Sequence, residues 1–195
     1  MIRIGILGDI GSGKSFVAKN FGYPVFNADY EVLKLYQKNR SVYKKLKKVL
    51  PEYIYEFPIN KTQLSNAILA NNSNLQKIIK IVHKEIRKKL KSFLNKNNNE
   101  KFVILDIPLL LENKLNKKKD ILIFVESRKK DILRNLKKRK NFNLPLINKF
   151  KKIQLSLDYK KKKSKFIITN KFTKKSVKVE IINIIKIIKN EGSGS

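Results

Sequence analysis

Hydrophobic positions change their period along the chain, and the changes mark its elements. Ile2-Arg-Ile-Gly-Ile-Leu7 is an apolar run with a single charged position, closed by glycine, and it predicts a buried strand. A Gly-rich segment over residues 8–15 leads into a helical pattern through about Phe21. Residues 24–27 predict a second short strand and residues 30–37 a helix. From 41 to 99 the pattern is helical, with interruptions at 51–58 and 71–74. There Leu75, Ile78, Ile79, Val82, Ile86 and Leu90 recur at the spacing of one apolar helix face. Two further runs, Phe-Val-Ile-Leu-Asp over 102–106 and Ile-Leu-Ile-Phe-Val over 121–125, are continuous rather than alternating, as in strands buried on both faces. A basic helix over about 129–140, a polar gap to Pro145, a helix to about 163, a strand over 166–169 and a last helix to about 189 complete an alternating series.

That series predicts an α/β domain over about 1–190 with a five-stranded parallel sheet flanked by helices. The stretch 41–99 is expected to be a helical insert between strands. Residues 191–195, ending in Gly-Ser-Gly-Ser, read as a flexible tail or a cloning scar.

Composition changes this picture in three ways. With 42% hydrophobic residues in 195, the chain can bury a real core. It contains no cysteine and one histidine, which excludes a disulfide framework, a thiolate nucleophile and multi-His or Cys metal sites, so any metal is expected to be a hard ion on oxygen ligands. No apolar run approaches the roughly 20 residues that cross a bilayer, and a cytoplasmic protein is expected. The net charge of +31 invites a nucleic-acid partner. Yet 40 Lys stand beside 26 Ile and 21 Asn, residues whose codons are written almost wholly in A and T, and only 6 of the 46 basic residues are Arg. Base composition accounts for all three excesses together, so no specific nucleic acid is expected. The lysine runs 117–119 and 160–163 read as solvated helix ends.

The clearest chemistry lies in Gly8-Asp9-Ile10-Gly11-Ser12-Gly13-Lys14-Ser15, a Gly-x-x-x-x-Gly-Lys-Ser pattern between a predicted strand and a predicted helix. The glycines let backbone N–H groups turn inward around a phosphate, Lys14 reaches the β and γ oxygens, and the Ser15 hydroxyl is the expected Mg²⁺ ligand. Asp106, at the end of a strand, is placed either to orient Mg²⁺ or to cap the following turn. Asp29, after the second strand, is placed either to accept a proton from an attacking hydroxyl or to cap the helix from Tyr30. His83 falls inside a helix, where a lone histidine is ordinarily a packed or surface residue. A basic cluster holds Arg134, Lys137, Lys138, Arg139 and Lys140 at the edge of a polar connection, and a basic lid is expected over about 138–148. Arg139 is the candidate for covering a transferring phosphoryl group.

Several segments together resemble the dephospho-CoA kinase family. Residues 4–15 resemble its phosphate loop, and Asn27-Ala-Asp29 resembles its Asp-Ala-Asp signature. His83 stands where the family has His-Pro. Asp106-Ile-Pro-Leu-Leu-Leu-Glu-Asn113 is similar to its Pro-Leu-Leu-hydrophobic-Glu block, and Arg139, Gln154 and Thr169-Asn170 match in order. The resemblance implies transfer of the ATP γ-phosphoryl group to the ribose 3′-hydroxyl of dephospho-CoA. It makes Asp29, Lys14 and Arg139 the catalytic candidates. ATP would be held by residues 8–15 with Phe16, Arg139 and Asn170. Asp29, His83, Pro108, Leu109, Leu110 and Glu112 would take the acceptor, and Ser15 and Asp106 the Mg²⁺. Partners implied are ATP and dephospho-CoA, with no membrane and with a monomer or weak homo-oligomer. The chain departs from the family at Asn27, at Lys84 after His83, at Phe16, and at Leu157 and Lys160, where arginines are usual. The phosphate loop alone leaves room for another small-molecule or nucleotide kinase of the same fold, and the charge alone for a basic nucleic-acid-binding ATPase.

Overall fold

The computed structural model describes residues 1–138 and 142–191. Five strands, β1 (Ile2–Gly8), β2 (Val25–Asn27), β3 (Phe102–Asp106), β4 (Ile121–Glu126) and β5 (Phe166–Thr169), form one parallel sheet in the order β2-β3-β1-β4-β5. The expected α/β architecture is therefore present. Six consecutive residues of β1 and all five of β3 are buried, which requires cover on both faces of the sheet.

The chain divides into two compact units: residues 1–27, 97–142 and 154–195, and residues 28–96 and 143–153. The first unit carries the sheet with α1 (Lys14–Asn20), α6 (Lys129–Lys137), α8 (Leu157–Lys163) and α9 (Lys174–Glu191). Alternate strand residues Ile4, Ile6, Ile104, Ile123, Val125 and Ile168 pack with Val17, Ala18 and Phe21 of α1 and with Val177, Ile181, Ile184 and Ile188 of α9. On the other face Gly5 is glycine for a packing reason. A β-carbon there would stand 2.6 Å from the Leu110 side chain and 2.9 Å from that of Leu122. Also in this unit, Arg3 pairs with Asp120 at 2.9 Å and donates to the Leu115 carbonyl at 3.0 Å.

The second unit is helical: α2 (Ala28–Lys38), α3 (Arg40–Val49), α4 (Lys61–Ala70), α5 (Asn72–Lys96) and α7 (Leu144–Lys152). The apolar stripe read from the sequence buries Leu75, Ile78, Val82, Ile86 and Leu90 of α5, which packs against α2, α3 and α4. The asparagines have a use here. Asn39, Asn60 and Asn143 each cap a helix by accepting the backbone N–H three residues on, all at 2.9 Å, a contribution of about 1 kcal/mol apiece.

One expected helix, from Pro145 to about 163, is two. α7 stops at Lys152, and Ser156 accepts from the Tyr159 N–H at 3.2 Å and starts α8 afresh. The helix expected from Tyr30 begins at Ala28, which puts Asp29 inside its first turn rather than at its cap. Among the described residues no helix is long and apolar enough to cross a membrane.

Candidate active site

β1 ends at Gly8 and the chain turns through residues 9–13 before α1 begins at Lys14. Gly8, Gly11 and Gly13 have φ of 144°, 88° and 87°, left-handed values that side chains resist. Space excludes side chains as well. A β-carbon on Gly11 would meet Leu136 at 2.8 Å, and one on Gly13 would meet the Asn170 amide nitrogen at 2.2 Å. The Ser12 N–H donates to the Asp9 carbonyl at 3.2 Å, and the Ile10 N–H to the Asp9 carboxylate at 2.6 Å. Lys14 Nζ donates to the carbonyls of Gly8 at 3.2 Å and Asp9 at 2.7 Å, so the ammonium lies across the loop rather than in bulk water. Ser15 is half-buried. Phe16 packs partly against the core, and its carbonyl accepts from the Asn20 side chain at 2.8 Å.

Two residues from other strand ends hold this loop from below. Asn170, 2% exposed, follows β5 and donates through Nδ2 to the Ser12 carbonyl at 2.9 Å, while its Oδ1 accepts from the Phe172 N–H at 2.8 Å. Ser127 follows β4 and donates through Oγ to the same carbonyl at 2.8 Å. No motif marks Ser127 in the sequence. Its only signal is its position immediately after a buried strand, at the edge where the loop lies.

Asp106 closes β3 and is 3% exposed. In the parallel register it stands opposite Asn27 of β2, and the Asn27 amide donates to its Oδ2. Where the resemblance has an acid, this chain has a neutral donor matched to a buried carboxylate. Beyond β3 the segment 107–115 turns tightly: Asn113 donates to the Leu109 carbonyl from its backbone at 3.1 Å and its side chain at 2.8 Å. Leu110 is buried over Gly5, and Pro108 and Leu109 are half-buried.

Glu112 carries the largest surprise. Its Oε1 lies 2.7 Å from Lys160 Nζ and accepts the Leu155 N–H at 2.9 Å, with Gln154 Oε1 at 3.4 Å from the same ammonium. The side chains of Lys160 and Glu112 are 1% and 9% exposed. Lys160 is therefore not a solvated helix end, as its place in a lysine run suggested. Glu112 Oε2 is buried with no hydrogen-bond partner among the described residues.

Asp29 and His83 belong to the second unit. Asp29 is exposed in the first turn of α2. His83 is half-buried on α5, where burial, followed by the positive charge of Arg87, holds its imidazole below the ordinary range. Arg139, with part of the expected lid, lies outside the described residues.

A family model described as dephospho-CoA kinase matches residues 2–175. The chain belongs to the dephospho-CoA kinase family. Its curated relatives include the dephospho-CoA kinase of Wolbachia sp. subsp. Brugia malayi, 37% identical over 127 residues, which are 63% of this chain and 65% of that one. The chain thus spans about 65% of the length of that curated dephospho-CoA kinase. Among solved structures, TT1252 from Thermus thermophilus superposes with a TM-score of 0.78 at 24% identity, covering 95% of this chain and 96% of the other. A dephospho-CoA kinase from Campylobacter jejuni gives 0.61 at 20%, with the same two coverages. Both structural likenesses bear on the fold, and they agree with the sheet described above.

Proposed function

We propose that the chain catalyses ATP-dependent phosphorylation of the ribose 3′-hydroxyl of dephospho-CoA, giving coenzyme A and ADP. One observation carries the reading: a phosphate loop with three left-handed glycines and an inward Lys14, in a chain whose family match runs from residue 2 to 175. In this reading the loop amides of residues 8–16 and Lys14 hold the ATP phosphates, with Asn170 supporting the loop and bordering the nucleotide. Asp29 accepts the proton of the 3′-hydroxyl as its oxygen forms a bond to the γ-phosphorus and the bond to the β,γ-bridging oxygen breaks. Arg139 covers the transferring group. His83, Pro108 and Leu109 take the acceptor, while the buried Leu110 and Glu112 shape the turn that carries Pro108 and Leu109.

Mg²⁺ fits the donors present. Among the described residues no group of three acidic or histidine side chains gathers, but the Ser15 hydroxyl and the Asp106 carboxylate are hard oxygen donors. Such a set suits an ion that takes its remaining ligands from phosphate oxygens and water. When bound, the ion offsets negative charge on the β and γ oxygens. Lys14 and the loop amides orient the phosphates. A cytoplasmic monomer or weak homo-oligomer accords with this activity.

The test is ADP release in a coupled assay with Mg-ATP, comparing dephospho-CoA, AMP, adenosine and shikimate as acceptors. Turnover confined to dephospho-CoA, and lost in Asp29→Asn and Lys14→Ala, is the expected result. Turnover on another acceptor, or on none, rejects the reading.

A further inference from the structure

We propose that Ser127 is a positioning residue that aims the phosphate loop at its ligand, an inference that rests on the loop's holding ATP. The Ser12 carbonyl accepts two hydrogen bonds from below the loop, one from Ser127 Oγ at 2.8 Å and one from Asn170 Nδ2 at 2.9 Å. A trans peptide is planar, with its C=O and the following N–H pointing opposite ways. Fixing the Ser12 carbonyl toward Ser127 and Asn170 therefore fixes the Gly13 N–H away from them. That N–H is one of the backbone donors of the glycine turn over residues 9–13, and successive backbone N–H groups in such a turn form an anion-binding concavity.

Gly13 cannot hold this orientation by itself. Its φ of 87° lies in a region where glycine is free to rotate at little cost, and no side chain locks it. Asn170 supplies one clamp, but both ends of its amide are already engaged, on Ser12 and on the Phe172 N–H. Ser127 supplies the second clamp and joins the two, since its Oγ also lies 3.3 Å from the Asn170 carbonyl. One hydroxyl proton serves two carbonyls, with the shorter contact on Ser12. Ser127 and Asn170 directly follow β4 and β5, and Ser12 lies in the loop after β1, three strands that are adjacent in the sheet.

The role predicts a selective defect. Without the hydroxyl, the Ser12–Gly13 peptide loses one of two restraints, and the loop has to order itself as the phosphates arrive. ATP and inorganic tripolyphosphate should feel this, whereas adenosine, which has no phosphate, should not.

Titration calorimetry on the full chain with ATP, tripolyphosphate and adenosine tests it, using Ser127→Ala, Ser127→Cys and Ser127→Thr. Thr keeps the hydroxyl, and Cys keeps the volume with a far weaker donor. About a tenfold loss of ATP and tripolyphosphate affinity is expected in the Ala and Cys variants, the scale of one hydrogen bond. Adenosine binding should stay within about twofold, and Thr should recover most of the loss. Unchanged ATP affinity in Ser127→Cys, or equal losses for ATP and adenosine, overturns the proposal while leaving the kinase reading intact. A wild-type chain that binds neither ATP nor tripolyphosphate overturns both.

Discussion

The Lys160 ammonium meets the Glu112 carboxylate at 2.7 Å in a place almost closed to water, tying the turn after β3 to the first residues of the segment that carries α8. Two buried charges are tolerable together and costly apart. Glu112→Ala should therefore destabilise the chain by about 3–5 kcal/mol, because it strands a buried ammonium. The double variant Glu112→Leu with Lys160→Met should recover most of that loss, as apolar replacements for buried pairs commonly do. Urea denaturation of the two variants beside wild type measures both numbers.

Asn27 donates to the buried carboxylate of Asp106, and the substitution Asn27→Asp would place a second acid in register with it. The expected cost is about 1–3 kcal/mol at neutral pH, from the lost donor and from like charges side by side. Urea denaturation of Asn27→Asp beside wild type at pH 7 measures that cost.

His83 has its ionisation held below the ordinary range by burial and by Arg87. The unfolded chain then binds the proton more readily than the folded one. The contribution to stability is complete above the unfolded value of about 6.5 and is lost as pH falls through it, levelling off below the folded value. His83→Gln should flatten that part of the stability curve, read from melting temperatures between pH 5 and 7.5.

Two glycines separate backbone strain from crowding. Gly22 has φ of 74° and open space around it, with no atom within 4 Å of where a β-carbon would stand, whereas Gly13 has φ of 87° and the Asn170 nitrogen at 2.2 Å. Gly22→Ala should cost about 1–2 kcal/mol, the penalty of a left-handed alanine. Gly13→Ala should cost more and should also displace Asn170, lowering ATP affinity as well as the melting temperature. Equal effects from the two substitutions would show that the clash with Asn170 relaxes freely.

Local signals make the sheet readable. The apolar runs of β1, β3 and β4, and the glycine spacing of the loop, are properties of a few adjacent residues, and they match the observed elements nearly to the residue. Strand order is not readable in this way, because the pattern of a buried strand does not say which neighbour it pairs with. The partners of site residues are hidden for the same reason. Ser127 reaches Ser12 across 115 positions, and Asn27 reaches Asp106 across 79. Lys160 misleads in a different way: among three further lysines in a row it has no pattern of its own, and only the fold distinguishes the buried one from the other three.

Gly8 is both the last residue of β1 and the first of the phosphate loop, and β1 is the central strand, paired to β3 on one side and to β4 as far as Gly8 opposite Val125. Amide exchange in such a strand proceeds through global unfolding, while loops ordinarily exchange through local opening. The loop's entrance is therefore expected to exchange as slowly as the strand it ends. Local opening of the loop is expected to begin after Gly8, whose place is set by β4.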